Sequence, residues 1–283
     1  MEYKFWVNDF DRVKNHKSKF PQAGKIFNYP VSFWFGVRKG KKKFQNLENR
    51  VRRLLNRAAP ATPVLVMYNL PDRDLGHHSK GGAVNELRYL DFITQFADAI
   101  GDQSPIVIFE PDALPHSTLM NDADAQSRFT LMRAGLDILT SRSNSIVYVD
   151  IGHSNWLDPE TAGMLINKIS NKRVRGFSVN VSNYRTTKES MKWALEVGEH
   201  TENKFFVIDT SRNGNGPYGN DWCNPPGRAL GTPATTETDH ELCDAYLWIK
   251  IPGESDGTCN GGPPAGKFWV SYARDLVKNT PWI

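Results

Sequence analysis

The sequence predicts an α/β fold, a distorted and incomplete TIM-like barrel of about seven parallel strands. Three features lead there. Short, continuous apolar runs alternate with longer amphipathic stretches, as in a parallel sheet covered by helices. Four of the runs lead into carboxylates set among glycines, prolines and aromatics, where a barrel enzyme keeps its chemistry. No Gly-rich dinucleotide fingerprint follows the first run, which disfavours an open Rossmann sheet.

The runs that read as strands are Val31–Phe35, Val64–Tyr68, Ile106–Phe109, Ile146–Val149, Phe177–Val179, Phe205–Ile208 and Tyr246–Ile249. Each is rich in Val, Ile, Phe or Tyr, as strands buried on both faces should be. Helices are expected between them. Leu47–Ala58 and Asn85–Ile100 come first, the latter carrying Leu87, Leu90, Phe92, Ile93 and Phe96 on or near one face. Asp122–Thr140 repeats Phe129, Met132, Leu136 and Leu139 at helical spacing. Asp158–Ile169 opens with a capping Asp and Pro159 in the first turn. Lys188–Val197 and Phe268–Val277 complete the series. Between Asp209 and Asp244 lies a long Gly-, Pro-, Thr- and Asn-rich segment without periodicity. Its Arg212, Trp222 and Cys223 argue for an ordered, ligand-facing loop.

The chain of 283 residues suits one α/β barrel, expected as a single catalytic domain over 1–283. A net charge of +4 is modest for this length, and nucleic acid is not an expected partner. The densest basic run, Arg38-Lys39-Gly40-Lys41-Lys42-Lys43, lacks interleaved aromatics and reads as a solvated loop and helix start. No apolar run is long enough to span a membrane. The start, Met1-Glu2-Tyr3-Lys4, has no secretory apolar region, so the chain reads as cytosolic or as a mature form without its leader. Of three cysteines, Cys243 reads as a buried thiol, while Cys223 and Cys259 lie in Gly/Pro-rich loops. A bridge between those two would staple both loops and favour an oxidising compartment.

Asp112 follows Glu110-Pro111, and Pro111 fixes the backbone just past the strand. Apolar neighbours would raise its pKa and keep a proton on it, as a general acid requires. In Tyr68-Asn69-Leu70-Pro71-Asp72-Arg73-Asp74, Arg73 can neutralise an acid, and Asp74 projects from a glycine-bearing loop through His77, His78 and Ser79. A metal site on Asp74, His77 and His78 is disfavoured because adjacent side chains diverge. Asp150 ends another run beside Gly152, His153 and Trp156. Lys250 precedes Glu254 and Asp256 at the last. Two carboxyl groups flanking a bond, one of them protonated, are the working parts of glycoside hydrolysis.

Taken together, these segments resemble the family-6 glycoside hydrolases, cellulases that cut β-1,4-glucan with inversion. The matching pieces are Tyr68–Asp74, Glu110–Asp112, Asp150–His153, Asn180–Tyr184, Asp209–Gly214, Asp221–Cys223 and Lys250–Gly257, in family order. The resemblance implies that Asp112 is the general acid and that Asp74 helps keep it protonated. It implies Asp256, or a water relay near Asp74 and Ser79, as the means of activating water, with Asp150 in support. Tyr68 would press on the sugar whose bond is cut. Trp34, Trp156 and Trp222 resemble stacking platforms, and Lys250, Glu254 and Asn180 hydroxyl partners, with His153 also at the ligand edge. A Cys223–Cys259 disulfide, secretion with a leader removed, a monomeric state, a β-1,4-glucan substrate and no metal or organic cofactor are implied as well. The chain departs from the pattern at Leu75, where many relatives carry a cysteine, and at Thr258, an insertion before Cys259. The short segment from Asp256 to Phe268 implies an open cleft and an endo-acting enzyme. An exo-acting cellobiohydrolase of the family and a non-catalytic glucan-binding protein are the alternatives.

Overall fold

The computed structural model describes residues 3–37 and 44–283. The basic run Arg38–Lys43 therefore lies outside the described residues. The chain opens with two helices, α1 (Asp11–Lys19) and α2 (Pro21–Gly24), before strand β1 (Phe33–Phe35). There follow α3 (Leu47–Ala58), β2 (Val64–Met67), α4 (Glu86–Ile100), β3 (Ile106–Phe109), a one-turn helix α5 (Ala113–His116) and the long α6 (Asp122–Arg142). Then come β4 (Ile146–Asp150), α7 (Pro159–Ile169), β5 (Gly176–Val179), α8 (Thr187–Glu199), β6 (Phe205–Asp209), β7 (Cys243–Leu247) and α9 (Val270–Lys278).

All seven strands pair in parallel and in chain order, from β1 to β7. Among the described residues β1 and β7 remain the edges, so the sheet curls into a half-barrel as expected. The seam is bridged just beyond these strands. Ser32 N–H donates to the Trp248 carbonyl at 3.1 Å, the Ser32 hydroxyl to Ile249, and Trp34 Nε1–H to Ile249 at 2.9 Å.

Side chains alternate across the sheet with the period of two that a strand imposes. Val64, Val66, Ile106, Ile108, Tyr148, Val207 and Leu247 fill the inside of the curl. Leu65, Met67, Val107, Phe109, Val147, Val149 and Phe206 face outward onto a layer formed by the helices. Val13, Ile26, Phe27, Trp248, Tyr272 and Leu276 pack separately, joining α1 and α9 beside the seam. Burial of each such large side chain contributes roughly 1.5–3 kcal/mol.

Helix starts follow their caps. Asn85 Oδ1 accepts from Arg88 N–H at 2.9 Å ahead of α4, and Asp158 Oδ1 from Thr161 N–H at 2.9 Å ahead of α7. The last strand begins earlier than its apolar run implies. Asp244 interrupts the pattern, yet its carboxylate is buried because Arg175 grips both oxygens at 2.9 Å and Tyr148 donates at 2.6 Å. No helix among the described residues is long and apolar enough to cross a membrane.

Candidate active site

The acids sit at the carboxyl ends of the strands, held by turns that leave them little freedom. Immediately after β3, Glu110 adopts φ 48° and Asp112 φ 66°. Glu110 is fully buried and accepts from the backbone N–H of Asn69 and Leu70, at 2.9 and 3.0 Å, tying the β3 turn to the one after β2. Burial pushes its pKa up to about 7 against the pull of those N–H groups and Arg73.

Asp112 is half-buried, and its own N–H donates to Asp150 Oδ2 at 2.8 Å. Burial first, then the charges of Asp74 and Asp256, raise its carboxyl pKa to about 7, with Lys250 and a hydrogen bond from Tyr68 opposing. Asp150 lies out of solvent at the end of β4, where it also accepts from the Ser178 hydroxyl at 3.1 Å. Burial and the neighbouring Asp112 push it well above the carboxylate range.

Asp256 is the opposite case. Burial alone would raise its pKa, but Arg212 and Lys250 overcome that and hold it below the ordinary value. Arg212 approaches Oδ2 at 2.8 Å and Lys250 Oδ1 at 3.1 Å. Asn224 N–H donates to Oδ2 at 3.1 Å, and the Tyr184 hydroxyl lies 3.3 Å from it. Asp74 is half-buried and accepts from Ser79 N–H at 2.6 Å. Arg73 closes the same turn by donating to the Ser79 carbonyl at 2.8 Å while its guanidinium lies 4.5 Å above the Tyr68 ring.

Of the aromatics read from sequence, Trp34 meets Tyr68 edge to face at 5.4 Å beside these acids. Trp156 packs against His153 at 5.7 Å and His116 at 5.1 Å. Burial, then Arg185, lowers the His153 pKa to about 4. Trp222 is 48% exposed and stands at the rim, edge to face with His78 at 5.9 Å. Glu254 is half-buried in the turn after β7.

Asn180 is not placed as a free hydroxyl partner. It is fully buried, its amide donates to the carbonyls of Asp209 and Arg185 at 2.8 and 3.1 Å, and its oxygen accepts from Arg185 N–H at 3.0 Å. Lys250 is likewise committed to Asp256. Arg212, read as ligand-facing, has 0% exposure. Asp209, a fifth acid at a strand end, organises the surrounding backbone by accepting from the N–H groups of Ser182, Ser211 and Lys250, each at 2.9 Å. The same rule that singled out the other four acids applies to it. Cys223 and Cys259 form a disulfide, their Cα atoms 6.1 Å apart. Burial pushes the unpaired Cys243 thiol up to about 12. Among the described residues the one His/Cys/Asp/Glu group at metal-ligand spacing is His78 with Cys223 and Cys259, whose sulfurs are spent on each other.

Acids converging at the carboxyl end of a parallel half-barrel, one holding its proton and another kept charged, define a site of the glycoside hydrolase class. A family model described as Glycosyl hydrolases family 6 matches residues 6–280, and the chain belongs to that family. An endoglucanase from Mycobacterium tuberculosis, solved with methyl-cellobiosyl-4-deoxy-4-thio-β-D-cellobioside, superposes with a TM-score of 0.92 at 39% identity. The match covers 98% of this chain and 97% of that one. Endoglucanase A of Cellulomonas fimi is 43% identical over 226 residues, 80% of this chain and 49% of the relative. This chain thus spans about half the length of that relative. Endoglucanase 1 of Streptomyces sp. (strain KSM-9) is 37% identical over 261 residues, 90% of this chain and 71% of the relative.

Proposed function

We propose that this chain is a secreted, monomeric, inverting endo-β-1,4-glucanase acting on cellulose or related glucans. The observation that carries the reading is the division of charge between two acids. Asp112 keeps its proton up to about pH 7, while Arg212 and Lys250 hold Asp256 ionised. In this reading Asp112 protonates the departing glycosidic oxygen. Both oxygens of Asp256 are engaged by cations, which weakens it as a base. Asp74 accepts from Ser79 N–H on the loop after β2, so a relay of water along Asp74 and Ser79 is the favoured route for the proton leaving the nucleophile. Asp150 positions Asp112 through the backbone. Tyr68 and Trp34 bound the sugar at the cut bond, with Trp156 and Trp222 as platforms further along.

Endo action is supported by the short segment between Asp256 and Phe268 and by relatives named endoglucanase. The disulfide fits an oxidising compartment. Carboxyl groups and water suffice for this chemistry, so a chelator should leave the rate unchanged. The test is viscosity loss on carboxymethylcellulose measured together with product stereochemistry. Rapid loss with α-anomeric product supports the reading. Slow loss with cellobiose dominating moves it to exo action, and binding without release of reducing ends makes the protein a glucan-binding module.

A further inference from the structure

The loop running from Asp74 to Gly82 is pinned at both ends. Arg73 and Gly81 form an antiparallel bridge, and Gly82 N–H donates to the Val37 carbonyl at 3.2 Å. Its tip reaches the opposite wall. The His78 ring lies so close over Gly257 that a Cβ there would stand 2.5 Å from its Cγ and 2.6 Å from its Nδ1. The same ring meets Trp222 edge to face at 5.9 Å, and a ring nitrogen lies within 4.8 Å of both disulfide sulfurs. The seat beneath it is firm. The Gly257 carbonyl accepts from Asn224 Nδ2 and from the Ser255 hydroxyl, both at 2.8 Å, and the disulfide ties Cys223 to Cys259 on either side.

The loop bearing Asp74 and the loop bearing Asp256 therefore touch through one exposed imidazole. We propose that His78 is a specificity-determining residue, the keystone of a roof that rests on Gly257 and sets how long a glucan chain stays bound between cuts. This rests on the glucanase reading above. One ring on one glycine is a weak latch, so the interior of a polymer can lift it and enter. Once the ring reseats, the chain is retained for more than one cleavage, an intermediate case between open trough and tunnel.

Gly257 provides an independent handle on the same contact. Its φ is outside the left-handed region, so alanine is tolerated by the backbone, and the three atoms nearest the added methyl, Cγ, Nδ1 and Cβ, all belong to His78. The experiment compares the wild-type chain with His78→Ala, Gly257→Ala and the double variant on insoluble cellulose, reading the ratio of soluble to insoluble reducing ends. That ratio does not depend on the overall rate, which matters because Gly257 adjoins Asp256. Each single substitution should lower the ratio by about twofold or more, and the double variant should match His78→Ala. The ring that the methyl displaces is then already gone and, of its three nearest atoms, only the Cβ at position 78, 2.9 Å away, remains to give way. An unchanged ratio in His78→Ala, or a further fall when Gly257→Ala is added to it, overturns the roof alone. A wild-type chain that releases no reducing ends overturns the glucanase reading and the roof with it.

Discussion

Arg212 and Asp256 lie 2.8 Å apart, with side-chain exposures of 0% and 5%, and the guanidinium is sandwiched against the Tyr184 ring at 4.4 Å. A buried pair of this kind contributes little net stability, but removing one partner strands the other charge, at a cost of roughly 3–5 kcal/mol. Arg212→Ala should therefore lower the unfolding midpoint sharply at pH 7. Its effect should shrink under acid. Asp256 has a folded pKa below its ordinary value, so its stabilisation is present above that value and is lost as pH falls through the folded pKa. Melting curves of wild type and variant from pH 7 downward should converge once the carboxylate protonates; parallel curves would show that the pair does not stabilise Asp256.

Asp112→Asn should reduce release of reducing ends by about 10²–10⁴-fold, the contribution typical of a general acid, while glucan binding persists. In the wild-type chain activity should fall as pH rises through about 7, where Asp112 loses its proton. Stability gives a second sign. A carboxyl with a raised folded pKa contributes stability below its unfolded pKa that is lost as pH rises through the folded one. The neutral amide avoids that loss, so Asp112→Asn should melt above wild type at pH 8. A variant that melts below wild type there would mean that the carboxylate is not under charge stress.

Asp74→Asn removes one of the negative neighbours that raise the Asp112 pKa. The basic limb of the pH–rate profile should move to lower pH, and Ser79 N–H should keep an acceptor in the new amide oxygen. If the relay reading is right, the maximal rate should also fall, by about tenfold or more. A lower rate with an unmoved basic limb would assign Asp74 to water activation alone.

The half-barrel was legible because its strands are buried on both faces and read as continuous apolar runs. The helices were legible where a capping side chain announced them, as Asn85 and Asp158 do. Helix α1 was not, since Asp-Arg-Val-Lys-Asn-His-Lys-Ser-Lys offers Val13 as its only apolar residue. The start of β7 was hidden by Asp244, whose burial depends on Arg175 from another strand's entrance. In the site, the acids at strand ends stood out by position. Their electrostatic partners did not, because Arg212 meets Asp256 across 44 residues of sequence and only the folded chain sets that contact.

Asn180 separates a positioning role from sugar contact. Its side chain makes three hydrogen bonds to backbone groups of Arg185 and Asp209 and holds the chain at φ 66° after β5. Each buried hydrogen bond contributes about 1 kcal/mol, and alanine in a left-handed conformation adds strain, so Asn180→Ala should cost on the order of 3 kcal/mol. Both terms act on the folded backbone. The unfolding midpoint should drop by several degrees, while KM for a soluble cello-oligosaccharide, measured well below that midpoint, stays within about twofold of wild type. A raised KM with unchanged melting would instead put the Asn180 amide on the substrate.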